Sequence, residues 1–172
     1  FRRVLFRSEE RLEKNDLLPL EEGKRYLLVE TSYFNPPMGL LSVLQRIQKK
    51  GYYPLLAHPE RYEYMQKKDY KALKEEHIFF QLNVPSLAGM YGRHVQEKAE
   101  ALLKAKAYYC IGCDIHSAFF YHKLLQSDIR KKIVMNFREE PNFHGNNIDL
   151  EEAWYVTYFF HWLSHIVKVQ IF

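Results

Sequence analysis

Tyr53-Pro54-Leu55-Leu56-Ala57-His58-Pro59-Glu60-Arg61-Tyr62 is an apolar run that stops on an imidazole. The first five residues have a strand's length and show no alternation of polar with apolar, the pattern of a strand covered on both faces. Pro59 ends the run and leaves His58, Glu60 and Arg61 where the strand emerges. The same cadence recurs on both sides. Upstream, Tyr26 to Glu30 is a short apolar run broken by Asn35-Pro36-Pro37. Leu40, Leu41, Leu44 and Ile47 then recur at helical spacing, and Lys49-Lys50-Gly51 supplies a basic last turn and a glycine stop. Downstream come a polar surface helix carrying Tyr70, Leu73 and Lys74, and a third strand over Ile78 to Asn83. An amphipathic helix marked by Val95, Ala99, Leu102 and Leu103 and a fourth strand from Tyr108 to Cys113 complete the series. Strand and helix alternating at this pitch predict parallel strands joined by crossover helices, an α/β fold. The spacing suits a segment of a (β/α) barrel, incomplete in this chain, because four strands fall short of the roughly eight that close one.

The 172 residues suffice for one core, and 47% hydrophobic with 27% charged residues is a globular composition. Lysines and arginines are scattered among acids, and the net charge is +4, so no nucleic-acid-binding stripe is expected. Cys110 and Cys113, three apart on a strand, would point to opposite faces. They are read as small thiols of a reducing compartment, which places the protein in the cytoplasm. Neither is followed by the phosphate loop and arginine that a cysteine-nucleophile phosphatase needs. Residues 1–8 look like an in-frame translation of a sequencing-library adapter and are set aside as a non-native leader. Residues 9–135 form the expected domain and 136–172 a separate tail. Trp154 to Val167 in that tail is strongly apolar, yet shorter than the about 20 residues of a membrane span. It reads either as a terminal docking helix or strand, or as a foreign end.

The chemistry gathers at strand ends. Asp114 and His116 leave the fourth strand two apart, so carboxylate and imidazole can face one cavity, and both suit Mn, Fe or Zn. His58 ends an earlier strand at the same carboxyl end, where an α/β barrel keeps its site. Arg61, three residues on, could clamp a phosphate with two parallel hydrogen bonds, or simply pair with Glu60 or Glu63 at the surface. Glu30 could be a metal ligand, a group orienting Arg61, or a solvated strand end. Gln81 and Asn83 offer amides to substrate or water, and His122 lies near enough to His116 to reach the cavity rim. His77, His94, His144, His161 and His165 occupy no comparable position.

Leu27 to Pro37, Gly51 to Tyr62, Gln81 to Asn83 with Ser86 to Gly89, and Gly112 to His116 together resemble the bacterial polymerase-and-histidinol-phosphatase (PHP) family. Within it the resemblance is to the manganese-dependent tyrosine-protein phosphatases of capsule and exopolysaccharide gene clusters, and it runs from about residue 9 to about residue 135. It implies the C-terminal part of a distorted (β/α)7 TIM-like barrel holding up to three manganese ions. On that pattern His58, Asp114 and His116 are metal ligands. Arg61 binds the phosphate with Glu30 beside it; Asn83 and His122 are candidate substrate-binding residues by their position alone. The implied substrate is a phosphotyrosyl protein, the autokinase that governs polysaccharide export, with no covalent phosphocysteine. The membrane would be met only through that substrate, and a homo-oligomer is allowed. Two departures stand out. The family opens with His-x-His, an Asp, a further His and a bridging Glu, which residues 9 to 24 lack, so this chain would turn over poorly. A second phosphate-binding Arg past the Asp-x-His is also absent from Ser117 to Lys123, where His122 or Lys123 could take its place. The same site could instead hydrolyse histidinol phosphate or another small phosphomonoester, and the chain could also be an inactive half-barrel serving as an interaction module.

Overall fold

β1 (Tyr26–Thr31) and β2 (Tyr53–Ala57) pair in parallel, with Tyr26 opposite Tyr53 and Val29 opposite Leu56. The computed structural model describes residues 25–114, positions 11, 13, 14, 17, 19, 20, 122, 123, 124, 126 and 129, and the backbone of Val169–Ile171. It divides into two compact units, residues 1–80 with 163–172, and residues 81–162.

In the first unit the parallel pairing demands a crossover, which α1 (Leu40–Lys49) provides. Leu44 and Ile47 on α1 are buried, together with Leu27, Leu28 and Val29 of β1 and Leu55 and Leu56 of β2. Each such side chain gives roughly 1.5–3 kcal/mol on burial, which is why the unbroken apolar runs become strands inside a covered sheet. Gly51 follows α1 at φ 79°, a left-handed turn that returns the chain to β2. After β2 come a single 3-10 turn, Pro59–Arg61, and α2 (Lys67–Glu75). The Gln66 N–H at the start of α2 donates to the Asp69 carboxylate at 2.8 Å, a reciprocal cap for the helix end. Tyr26, Tyr53 and Phe79 gather at the amino ends of their strands, with ring centroids 5.3–6.3 Å apart. β5 (Val169–Ile171) adds to the far side of β1 in parallel, with Glu30 opposite Gln170. It lies in the tail expected to stand apart, beyond the apolar run 154–167, which itself falls outside the described residues.

β3 (Phe79–Asn83) crosses from the first unit into the second. In the second unit Gln81, Leu82 and Asn83 pair in parallel with Cys110, Ile111 and Gly112, which are β4 (Cys110–Gly112). The crossover consists of a one-turn helix, α3 (Val84–Leu87), and α4 (Arg93–Lys104), which buries Ala99 and Leu102. Gln96 on α4 donates its amide to the Leu87 carbonyl at 3.1 Å and ties the two helices. β4 is shorter than the Tyr108 to Cys113 strand expected from sequence, because the ladder with β3 is only three residues long. Cys113 therefore lies past the strand, and neither cysteine is in a disulfide. Burial pushes the Cys110 thiol up to about 12. A Cβ at Gly112 would come within 2.7 Å of the Gln81 amide nitrogen, so glycine here makes room for a side chain on the neighbouring strand. Among the described residues no helix is long and apolar enough to cross a membrane.

Among the described residues the fold is thus mixed α/β with parallel pairing, and four of the five strands found there stand where the continuous apolar runs foretell them.

Candidate active site

The register that sets Val29 against Leu56 brings the next residue of β1, Glu30, and the residue that follows β2, His58, to neighbouring strand ends. Their side chains meet. Glu30 Oε1 lies 3.2 Å from His58 Nε2, and both residues are buried, at 7% and 1% exposure. Glu30 is therefore not a solvated strand end. His58 sits at φ 36°, ψ 53°, a left-handed backbone that a non-glycine residue adopts at a cost of about 1–3 kcal/mol. The strain follows from the turn. β2 must reverse at once into the 3-10 turn, whose Arg61 N–H donates to the His58 carbonyl at 3.0 Å.

Tyr33 holds the pair. Its hydroxyl donates to Glu30 Oε1 at 2.9 Å, and its ring lies 5.5 Å from the His58 ring. The other face of the site's charge balance is Arg61, whose guanidinium carbon stands 4.3 Å from the centroid of the same Tyr33 ring. Glu30 and Arg61 are thus linked through one tyrosine. Tyr33 is itself anchored, because its carbonyl accepts the Glu63 N–H at 2.7 Å. Behind it lies Tyr62, fully buried, whose hydroxyl accepts the Thr31 N–H at 3.2 Å and whose ring stacks on Tyr64 at 5.8 Å. Burial, reinforced by the Glu30 charge, holds the Tyr62 hydroxyl well above the ordinary tyrosine range, so it stays neutral. Tyr70 caps the turn from below, donating to the Pro59 carbonyl at 3.1 Å, and burial raises its hydroxyl as well. Glu60, read from sequence as a surface partner for Arg61, is completely buried.

The second unit carries the remaining candidates. Asp114 follows β4 by two residues, and its N–H donates to the Asn83 side-chain carbonyl at 3.1 Å. Asn83 is only 2% exposed. His122 is exposed, and His116 falls outside the described residues. Tyr33 went unmarked in the sequence reading. The available signal was a tyrosine three residues past a strand-end carboxylate, in a loop pinned by Asn35-Pro36-Pro37.

A buried imidazole touching a buried carboxylate, with that carboxylate hydrogen-bonded by a neighbour, has the chemistry of a divalent-cation site with its outer shell in place. The donor set fits a metal ion.

The capsular polysaccharide synthesis CpsB/CapC family profile matches residues 4–131. The chain belongs to this family. Its relatives include the tyrosine-protein phosphatase YwqE of Bacillus subtilis (strain 168), 29% identical over 117 residues, which are 67% of this chain and 46% of that protein. A similar crystal structure comes from a pair of proteins, YwqE from Bacillus subtilis and CpsB from Streptococcus pneumoniae, described as unique metal-dependent tyrosine phosphatases. It superposes with a TM-score of 0.58 at 25% identity, over 74% of this chain and 57% of that one. This CpsB/CapC chain spans about half the length of the relatives it matches.

Proposed function

We propose that this chain carries part of the active site of a metal-dependent phosphotyrosine phosphatase acting in capsule synthesis. The observation that carries the reading is the buried Glu30–His58 contact at 3.2 Å at the carboxyl ends of two parallel strands, with Arg61 one turn away. The CpsB/CapC membership and the metal-dependent tyrosine phosphatases among its relatives support it. The parallel strands and crossover helices belong, on this reading, to a PHP-type barrel.

Within the first unit His58 and Glu30 offer one imidazole and one carboxylate, a donor pair that suits manganese, and on this reading Asp114 and His116 of the second unit are further ligands. A bound divalent cation neutralises phosphoryl charge and activates water at neutral pH. Glu30 supplies negative charge on a fixed oxygen, and Tyr33 keeps that oxygen oriented. Arg61 offers a planar fork for two oxygens of the phosphoryl group, stiffened by the tyrosine face beneath it. Tyr62 stays protonated and excludes water from behind the pair. The substrate is a phosphotyrosyl segment of a bacterial autokinase, met at the cytoplasmic side of the membrane. His122 and Asn83 serve substrate binding and the placement of Asp114 respectively.

The test is phosphate release from a phosphotyrosyl peptide alongside calorimetric titration with manganese, for the wild-type chain and His58→Asn. Asparagine is chosen because it tolerates the left-handed backbone. Release should vanish with chelator and return with manganese. The variant should lose more than the about 100-fold typical of an outer-shell change. Turnover indifferent to chelator, or a variant that binds manganese as the wild type does, overturns the reading. Faster turnover of histidinol phosphate than of the peptide would change the substrate and keep the chemistry.

A further inference from the structure

We infer that Tyr33 is a positioning residue with two separable duties: its hydroxyl fixes the Glu30 carboxylate for a cation, and its ring fixes the Arg61 guanidinium for the phosphoryl group. The inference rests on the phosphatase reading above and extends it to a residue outside the ligand and phosphate-binding set.

The geometry separates the duties by atom. Glu30 Oε1 takes the Tyr33 hydroxyl at 2.9 Å and stands 3.2 Å from His58 Nε2, so one oxygen is defined from two sides. A carboxylate held this way enters a cation site with its orientation already set. The ring does other work. The Arg61 guanidinium carbon is 4.3 Å from its centroid, within range of a cation–π contact, and Arg61 is only partly buried. A long side chain at such a position loses rotamer freedom to the aromatic face before any anion arrives. The ring itself has little room to swing. Its backbone carbonyl is tied to Glu63, and the fully buried Tyr62 ring lies 6.0 Å away. All of these contacts lie within residues 30–63 of the first unit.

Phenylalanine removes the hydroxyl and keeps the ring, whereas leucine removes both. The experiment uses the full chain as wild type, Tyr33→Phe and Tyr33→Leu, with three readouts. These are manganese affinity by calorimetry, inorganic phosphate affinity at saturating manganese, and the Arg61 side-chain Nε–H signal by NMR. Tyr33→Phe should weaken manganese by about 10-fold or more. It should leave phosphate affinity and the ring-shifted Arg61 signal as in the wild type. Tyr33→Leu should lose manganese affinity to the same extent, weaken phosphate by about 3-fold, and move the Arg61 signal to its random-coil position. Equal losses of both ligands in Tyr33→Phe would mark a merely structural residue and overturn the division. So would an unchanged manganese affinity in that variant. Should Tyr33→Leu fail to fold, Tyr33→Phe still decides the hydroxyl duty, and a wild-type Arg61 Nε–H signal at its random-coil position would overturn the ring duty. A wild type that binds neither manganese nor phosphate overturns the phosphatase reading and the cation duty together. The Arg61 signal, which needs no metal, then decides the ring duty by itself.

Discussion

The strand ends of the first unit and those of the second are built to different standards. At β1 and β2, Glu30 and His58 are buried, touch each other, and are braced by Tyr33, Tyr62 and Tyr64. At β3 and β4, Asp114 is half-exposed, and its N–H donates to the Asn83 side-chain carbonyl. The first arrangement removes two ionisable side chains from water, which costs several kcal/mol per charge unless partners are fixed beforehand. The second leaves a carboxylate near solvent, where little pre-organisation is needed. Burial dictates bracing, and aromatic residues give rigid bracing with few rotamers to freeze.

Three measurements would break or sharpen that contrast. The largest effect is expected from Tyr62→Ala. Emptying a fully buried aromatic site should cost about 3–5 kcal/mol in chemical denaturation. It should also release the Thr31 N–H to fast hydrogen exchange. A loss under 1 kcal/mol, measured by the same denaturation, would mean that the brace carries no load. The next effect is alkaline. The Tyr62, Tyr64 and Tyr70 hydroxyls all lie above the ordinary tyrosine value of about 10 in the folded chain, chiefly through burial. A folded pKa above the unfolded one means that the folded state holds the proton more tightly. Stability should therefore be flat with respect to these groups below pH 10 and fall as pH rises beyond it. Thermal melts between pH 9 and 11, with tyrosinate absorbance followed in parallel, read this directly; ordinary titration of all tyrosines near 10 before unfolding would contradict it. The smallest effect belongs to the second unit. Asn83→Ala should cost about 1 kcal/mol, the worth of one hydrogen bond. Its clearest sign would be faster exchange of the Asp114 amide alone.

The strands were legible because parallel strands buried on both faces leave an unbroken apolar record, as Leu27 to Val29 and Pro54 to Ala57 do. The meeting of Glu30 and His58 was half legible, since each visibly ends a strand, but only the register sets them at neighbouring positions. Tyr33 was not legible. It stands in a loop, where no period constrains the direction of a side chain, and its partners are a residue three back and another twenty-eight ahead. The length of β4 was overread because Tyr108 is buried and apolar without belonging to the ladder, which is bounded by the pairing partner and not by hydropathy. The role of the Asn83 amide likewise depends on a backbone group thirty-one residues away, a partner that strand-end position alone does not name.

Gly112 and Gln81 sit so close that a methyl group on the first meets the amide of the second. Through family history the two positions should therefore vary as a couple. Lineages that acquire alanine or serine at 112 are expected to carry a shorter residue at 81, and sequences bulky at both should be missing.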